Sequence, residues 1–310
     1  MKILFAGSPE IALPSLEALL ASGEEIIGVI SQPDRPVGRG RKLSSPPVAT
    51  LAKKSQRLLF QPEKLDDSFL RTLTELSPDL IVVVAYGKIL PKKMLMIPPQ
   101  GCLNLHFSLL PKYRGAAPVQ WALINGEAET GVTTLKMVER LDAGPIYLQR
   151  KVPIQEEDNS LLLGKRLANI GAELLVETIQ RLKEGKLQAS PQVEEMVTWA
   201  PSLEKEDGLI DWNCSAKAIF CKIRGTNPWP GAYTFLDTQR LKIYTASVIP
   251  EKNKKQRPGE ILATHPSGID VACGHGILRL EELQLEGGKR LSAAEFLRGH
   301  PLEVGTKLGS

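Results

Sequence analysis

Aromatic residues make up only 5% of this 310-residue chain, and histidines and cysteines number 4 each. Each shortage excludes something. Cys102, Cys214, Cys221 and Cys273 show no C-x-x-C spacing, and so few cysteines in so long a chain make no disulfide framework. A reducing cytoplasm is therefore the expected compartment. His106, His265, His275 and His300 contain no H-E-x-x-H motif and no pair at helical spacing, so no metal site is expected. Long apolar runs are missing too. The best, residues 80–85, has the length of a strand and falls far short of the roughly 18 residues a membrane span needs. Residues 1–6 form an apolar run broken by Gly7, Ser8 and Pro9, without the long apolar core and cleavage site of a secretory signal. Charge of one sign is scarce as well: Lys+Arg 39 against Asp+Glu 35 leaves +4, too little to demand an anionic partner. Pro 23 and Gly 26 are too few for a low-complexity chain.

What is present alternates between two periods. Residues 2–6 read as a buried strand, 9–22 as a helix ended by Gly23, and 25–31 as a second strand. A helix at 46–55, a strand at 57–60, a helix at 66–76 and a strand at 80–86 continue the pattern, the last so rich in Ile and Val that both its faces must be covered. The expected fold class is α/β, with an open, Rossmann-like, mostly parallel sheet in the N-terminal domain. Its first turn, Ala6-Gly7-Ser8-Pro9-Glu10, holds one glycine where dinucleotide binding needs G-x-G-x-x-G, which argues against a nicotinamide- or flavin-linked oxidoreductase. Past residue 188 the chain turns rich in proline and glutamate. Five short alternating segments follow, at 232–236, 241–247, 259–263, 268–272 and 276–284, with helical pieces at 215–223 and 292–297. They suggest a smaller C-terminal OB-like β-barrel. The expected division is a catalytic domain over 1–188, a linker over 189–206 and the barrel over 207–310. Residues 201–310 carry 15 Lys+Arg against 13 Asp+Glu, so basic charge is not concentrated there.

Two stretches do not read as scaffold. In Gly101-Cys-Leu-Asn-Leu-His-Phe-Ser-Leu-Leu-Pro-Lys-Tyr-Arg-Gly115, Asn104 and His106 are two apart, so on a strand both side chains leave the same face. A buried amide and imidazole need partners. They are either a strand-end asparagine with a satisfied core histidine, or part of a site at the strand's C-terminal end, where open α/β sheets hold ligands. In the second stretch, a strand at 132–137 leads to Asp142, followed by Gly144 and Pro145. That acid is either turn chemistry or a carboxylate that reaches His106 and orients it. No covalent nucleophile stands beside them: Ser108 lacks a G-x-S-x-G elbow, and Cys102, facing the same side as Asn104, has no evident activation. Such a set suits direct transfer between two bound substrates.

A third stretch, residues 33–42, carries four basic residues, Arg35, Arg39, Arg41 and Lys42, against one acid, Asp34, and its prolines and glycines predict no regular structure. It is either a solvated loop or a phosphate contact, since clustered Arg and Lys give RNA affinity without sequence readout.

Taken together, FAGSPEIALPSLEALL, SQPDRPVGRGRKL, VVVAYGKILP, NLHFSLLPKYRGAAPVQWALINGE, GVTTLKMVERLDAGPI, IDWNCSA and IRGTNPWPGAY resemble the methionyl-tRNA formyltransferases, within the wider family of enzymes that use 10-formyltetrahydrofolate. The likeness runs nearly end to end. SLLPKYRGAAP and LDAGPI point only to that wider family, whereas PDRPVGRGRKL and NPWPGAY point to the tRNA branch. One departure is Phe107, where a small residue is more usual. The resemblance implies an active-site trio of Asn104, His106 and Asp142. It implies a folate-binding segment of Ser108, Leu109, Leu110 and Pro111, and a pterin pocket lined by backbone at Ala85, Tyr86, Gly87, Ile89 and Leu90. It also assigns tRNA contacts to Arg39 above all, with Arg35, Arg41 and Lys42, and to the barrel.

The implied reaction passes the formyl group of 10-formyltetrahydrofolate to the α-amine of methionyl-initiator tRNA through a tetrahedral intermediate, for the initiation of translation. Asn104 and a protonated His106 would hydrogen-bond the developing oxyanion, and Asp142 would stabilise the imidazolium and help take the amine proton, directly or through water. A cytoplasmic monomer without a metal is expected. A formyltransferase for an amino sugar or ribonucleotide amine, and a noncatalytic RNA-binding relative, are the alternatives. The long basic loop and added C-terminal domain argue against the first, and the intact trio argues against the second.

Overall fold

The computed structural model describes residues 1–37, 42–250 and 257–309. It divides into two compact units, one of residues 1–116, 129–153 and 164–200, the other of 117–128, 154–163 and 201–310.

In the first unit, β1 (Lys2–Gly7) leads through α1 (Leu13–Ala21) to β2 (Glu25–Ile30). A hairpin of β3 (Arg35–Val37) and β4 (Lys42–Ser44) precedes α2 (Pro47–Lys54), β5 (Leu59–Phe60), α3 (Asp67–Leu76), β6 (Leu80–Val84), α4 (Lys92–Leu95) and β7 (Cys102–His106). After α5 (Pro118–Ile124), which belongs to the second unit, come β8 (Glu129–Lys136), β9 (Ile146–Pro153) and the long α6 (Ser160–Lys183).

Local chemistry sets these boundaries. The helix expected over 9–22 begins with a 3-10 turn at Glu10–Ala12, because Pro14 has no N–H and can sit only in the first turn of α1. Asp66 caps α3 by accepting the Phe69 N–H at 3.0 Å. The strand expected over 80–86 stops at Val84, since Ala85 takes φ 46° and turns the chain out of the sheet.

The seven strands lie in the order β5-β2-β1-β6-β7-β8-β9. From β5 to β7 neighbours are parallel, and β8 and β9 then add antiparallel. Every residue of β6 is buried, as its unbroken Ile/Val run requires. The mostly parallel sheet expected from the sequence is thus observed. After β1 the chain builds outward through β2 and β5, then crosses back to place β6 on the other side of β1. The strand order therefore reverses between β1 and β6, and in open α/β sheets the crevice at the C-terminal ends of such strands is where ligands sit.

The basic segment departs from expectation. It is not without regular structure: Arg35 pairs with Ser44, Pro36 with Leu43 and Val37 with Lys42. Asp34 closes the base, accepting Gln61 Nε2 at 2.6 Å and Ser45 Oγ at 2.8 Å, and these bonds, Gln61's first, hold its carboxyl below the usual range. Local side-chain bonds outweigh the turn-forming composition here.

In the second unit, α7 (Ala216–Thr226) is followed by β10 (Ala232–Leu236), β11 (Gln239–Ile249), β12 (Ile261–His265), β13 (Gly268–Ala272), β14 (Ile277–Leu285), β15 (Leu291–Ser292) and α8 (Ala293–Gly299). The antiparallel sheet runs β10-β11-β14-β13-β12, with β15 beside β14. Its two edges are joined by the last residues of the chain: Gly309 N–H reaches Phe235 O at 2.9 Å, while Leu308 N–H reaches Gly259 O and Ile261 N–H reaches Thr306 O, both at 2.8 Å. This tail completes the barrel and protects both edges. Leu308, 1% exposed, packs into a core that includes Trp212, Phe220, Ile261 and Leu278.

Leu308→Ala leaves a cavity where barrel and tail meet. Urea unfolding of the variant is expected to show a loss of about 2–5 kcal/mol in the barrel transition; an unchanged midpoint would show that the tail contributes nothing to closure.

Candidate active site

The C-terminal end of β7 gathers the polar residues that the sequence singled out. Asn104 and His106 share one face of β7, as their spacing required, and β7 lies between β6 and β8 with Asn104 opposite Val83 and Leu135. His106 is buried and Asn104 half-buried. The third member comes from the turn between β8 and β9. Its residue Asp142 takes φ 49°, a left-handed conformation that Asp tolerates better than most residues. Gly144, two residues on, lies so close to β8 that a Cβ there would stand 1.7 Å from Lys136 O. Only glycine lets this turn lie flat against the strand.

Asp142 bridges the set. Its Oδ2 accepts the Gly115 N–H at 2.9 Å and lies 3.6 Å from His106 Nδ1, and its Oδ1 accepts Asn104 Nδ2 at 3.4 Å. Gly115 has φ 128°, and a Cβ on it would come 2.5 Å from Ala200 O, so the donor to Asp142 sits where no other residue fits.

His106 Nε2 is 2.9 Å from Tyr113 O. A carbonyl can only accept, so Nε2 carries a proton, and any second ring proton lies on Nδ1, the nitrogen facing Asp142. Both ring nitrogens therefore have protein neighbours, which sequence spacing alone does not reveal. Asn104 makes one long bond among the described residues and keeps donor capacity for a ligand.

Several supporting residues were not legible as such in the sequence. Thr133 on β8 accepts from Leu110 N–H at 3.2 Å and donates to Ser108 O at 2.6 Å, and Gln149 on β9 donates to Leu110 O at 2.8 Å. Together they fix segment 108–111 against the sheet. Arg114, 1% exposed, pairs through its backbone with Thr198 and Ala200. Its side chain reaches Gln192 and Glu194, two residues of the stretch expected to be a linker. Arg114, with Arg140 beside it, holds the Glu194 carboxyl below the usual range. Residues 164–200 are folded into the first unit.

The other residues implied by resemblance are distributed less evenly. Ser108 is wholly buried and donates to Lys112 O at 2.6 Å, Leu110 is buried, and Leu109 and Pro111 are half-buried. In the turn after β6, Ala85 and Gly87 take φ 46° and 84°. Tyr86 and Leu90 are buried in the core, while Ile89 is 87% exposed. Tyr86 O accepts Ser8 Oγ and Gln32 Nε2, which ties this turn to the loops after β1 and β2. Arg35 forms an exposed ion pair with Glu63 at 2.7 Å. Arg39 and Arg41 lie outside the described residues, and Lys42 is described only by its backbone in β4. A surface cleft of about 660 Å³ between α1 and α6 shares no residue with the site. Among the described residues no group of three or more His, Cys, Asp or Glu could hold a metal ion, and no helix is long and apolar enough to cross a membrane.

Comparison with known proteins adds to this geometry. The family described as formyl transferase matches residues 1–179, and its C-terminal domain matches residues 202–301. A curated protein of Geobacter metallireducens named methionyl-tRNA formyltransferase is 49% identical over 310 residues, spanning 100% of this chain and 99% of its own. Among solved structures, an N-formyltransferase from Helicobacter canadensis, in complex with folinic acid and dTDP-3-aminofucose, superimposes with a TM-score of 0.68 at 19% identity, over 90% of this chain and 98% of that one. HypX from Aquifex aeolicus, in complex with tetrahydrofolic acid, gives 0.62 at 19% identity over 96% of this chain, which spans 47% of HypX. At such identities the two structures speak for the fold alone.

Cys102 faces the same side of β7 as Asn104, yet burial pushes its thiol up to about 12. It stays protonated near neutral pH and is no nucleophile. Iodoacetamide at pH 8 followed by peptide mass mapping is expected to label the exposed Cys214 and to leave Cys102 unlabelled in the folded protein; rapid labelling of Cys102 would contradict this.

Proposed function

The chain belongs to the formyl transferase family and formylates methionyl-initiator tRNA, and we propose that it does so by direct transfer from 10-formyltetrahydrofolate at the C-terminal end of β7. The observation that carries this reading is 49% identity over the whole chain to a methionyl-tRNA formyltransferase, both family domains included. The donor set at the end of β7 fits a folate-type formyl donor, since Asn104, His106 and Asp142 offer two hydrogen-bond donors and one proton acceptor around one point.

When bound, 10-formyltetrahydrofolate supplies an activated formyl carbon whose nitrogen substituent departs with a proton. Asn104 turns its amide N–H to the formyl oxygen, where negative charge develops as the amine adds. His106 contributes its Nδ1 proton to the same oxygen, its ring being held in place through Nε2 by Tyr113 O. Each such donor contributes about 10² to 10³ in rate. Asp142, 3.6 Å from Nδ1, would balance the imidazolium charge, take the proton released by the methionyl amine, which must be neutral to attack, and pass it, directly or through water, to the departing folate nitrogen. With Cys102 a buried thiol, no formyl-enzyme is needed.

The folate sits against segment 108–111 and the turn 85–90. Tyr86, Leu90, Ser108 and Leu110, being buried, serve there mainly through backbone or as packing. Arg35, Arg39, Arg41 and Lys42 meet phosphates of the acceptor, and the barrel supplies further tRNA contact, without base-specific readout from the loop. The reaction belongs to the start of translation, which supports a cytoplasmic location.

Asn104→Ala and His106→Ala are expected to lower kcat by about 10² to 10³ each, in protein that still folds. Parental turnover in either variant would remove that residue from the mechanism. Replacing Arg39 and Arg41 together by Ala is expected to raise KM for methionyl-tRNA and flatten its salt dependence, leaving KM for the folate unchanged. An equally steep salt dependence would contradict the loop's role. The same assay with a nucleotide-linked amino sugar in place of tRNA is expected to give no turnover.

A further inference from the structure

Asp142 holds a left-handed φ of 49°, a conformation that a residue with a Cβ keeps only where its surroundings impose it. What imposes it comes from fifty residues away. Gln192 Nε2 donates to Asp142 O and to Gly144 O, both at 2.7 Å, so both hydrogens of one amide are fixed on the two carbonyls of the turn. The other end of that amide faces Arg114, whose Nε and Nη2 approach Gln192 Oε1 at 3.1 and 2.8 Å. A guanidinium has only donors, so the atom facing it must be oxygen, and the NH2 must face the turn. Chemistry alone thus fixes the orientation of the amide.

Arg114 is in turn held by several bonds. It is 1% exposed, it donates to Glu194 Oε1 at 3.1 Å, and its backbone is paired with Thr198 at 2.9 Å and Ala200 at 2.8 Å. The residue after it, Gly115, gives its N–H to the Asp142 carboxylate at 2.9 Å. Main chain and side chain of Asp142 are therefore both referred to the same short piece of backbone, the first through Gln192 and the second through Gly115.

We infer that Gln192, locked by Arg114, is a positioning residue that sets the Asp142 turn and thereby the distance of its carboxylate from His106 and Asn104. Gln192 touches no reacting atom, so its loss should act on the chemical step and spare substrate binding. The kinetic part rests on the formyl-transfer reading above; the structural part does not.

Gln192→Glu is the discriminating variant. It keeps the length of the side chain and an oxygen for Arg114, yet it replaces the NH2 by an oxygen that repels both carbonyls. Expected are a protein that still unfolds cooperatively, a kcat lower by about 10- to 100-fold, as small displacements of catalytic groups cost, and unchanged KM values for methionyl-tRNA and 10-formyltetrahydrofolate. Gln192→Ala should match it in kcat; if that variant fails to fold, Gln192→Glu decides alone. A crystal structure of Gln192→Glu should show the Asp142 carboxylate detached from the Gly115 N–H. Parental kcat, a loss confined to KM, or an Asp142 still bonded to Gly115 would each overturn the inference. Should the parent protein fail to formylate methionyl-tRNA, the functional reading falls while the crystal structure still decides the role of Gln192.

Discussion

The carboxylate of Asp142 is the point on which the site depends. Among the described residues it is the one group in contact with Asn104, His106 and the Gly115 N–H together, and it is nearly buried, its side chain 10% exposed. A carboxylate so placed needs compensation for lost hydration. Here the compensation is the site itself: an amide donor, a backbone donor and a ring nitrogen that can carry charge. The same contacts that make the buried acid tolerable also align the groups proposed to act on the formyl oxygen.

Topology explains why these groups can meet. The parallel strands β1, β6 and β7 end side by side, and the reversal of strand order falls at the same end of the sheet that carries Asn104 and His106. The antiparallel addition of β8 and β9 brings the Asp142 turn back over that end. The close approach of the turn is possible only because Gly144 and Gly115 have no Cβ to clash with Lys136 O and Ala200 O. Arg114 adds a buried positive charge, and its pairing with Gln192 and Glu194 keeps that charge satisfied.

Much of this was legible in the sequence. The two-residue spacing of Asn104 and His106 gave their common face, and the Ile- and Val-rich segment at 80–86 gave a strand covered on both sides. The acid of Leu-Asp-Ala-Gly-Pro was recognisable as turn chemistry with a possible second role. What the sequence did not disclose depends on contacts across long separations. Gln192 lies in a proline- and glutamate-rich stretch with no period, and only the fold reveals that its amide faces Asp142. Tyr113 O could not be foreseen as the partner of His106, because a backbone carbonyl leaves no mark in the sequence. The barrel was visible as alternating segments, but its closure by residues 305–309 was not, since that tail has no strand pattern. The hairpin at β3 and β4 was hidden by prolines and glycines, and Asp34 closes it through side-chain bonds that composition does not show.

The central claim is that Asp142 arranges Asn104 and His106 around the formyl oxygen. A crystal structure with a stable 10-formyl folate analogue tests it most directly. The account predicts the formyl oxygen about 2.7–3.1 Å from Asn104 Nδ2 and on the Nδ1 side of His106, with the Asp142–Gly115 bond kept. A formyl group bound beyond hydrogen-bond reach of both Asn104 and His106 would contradict it.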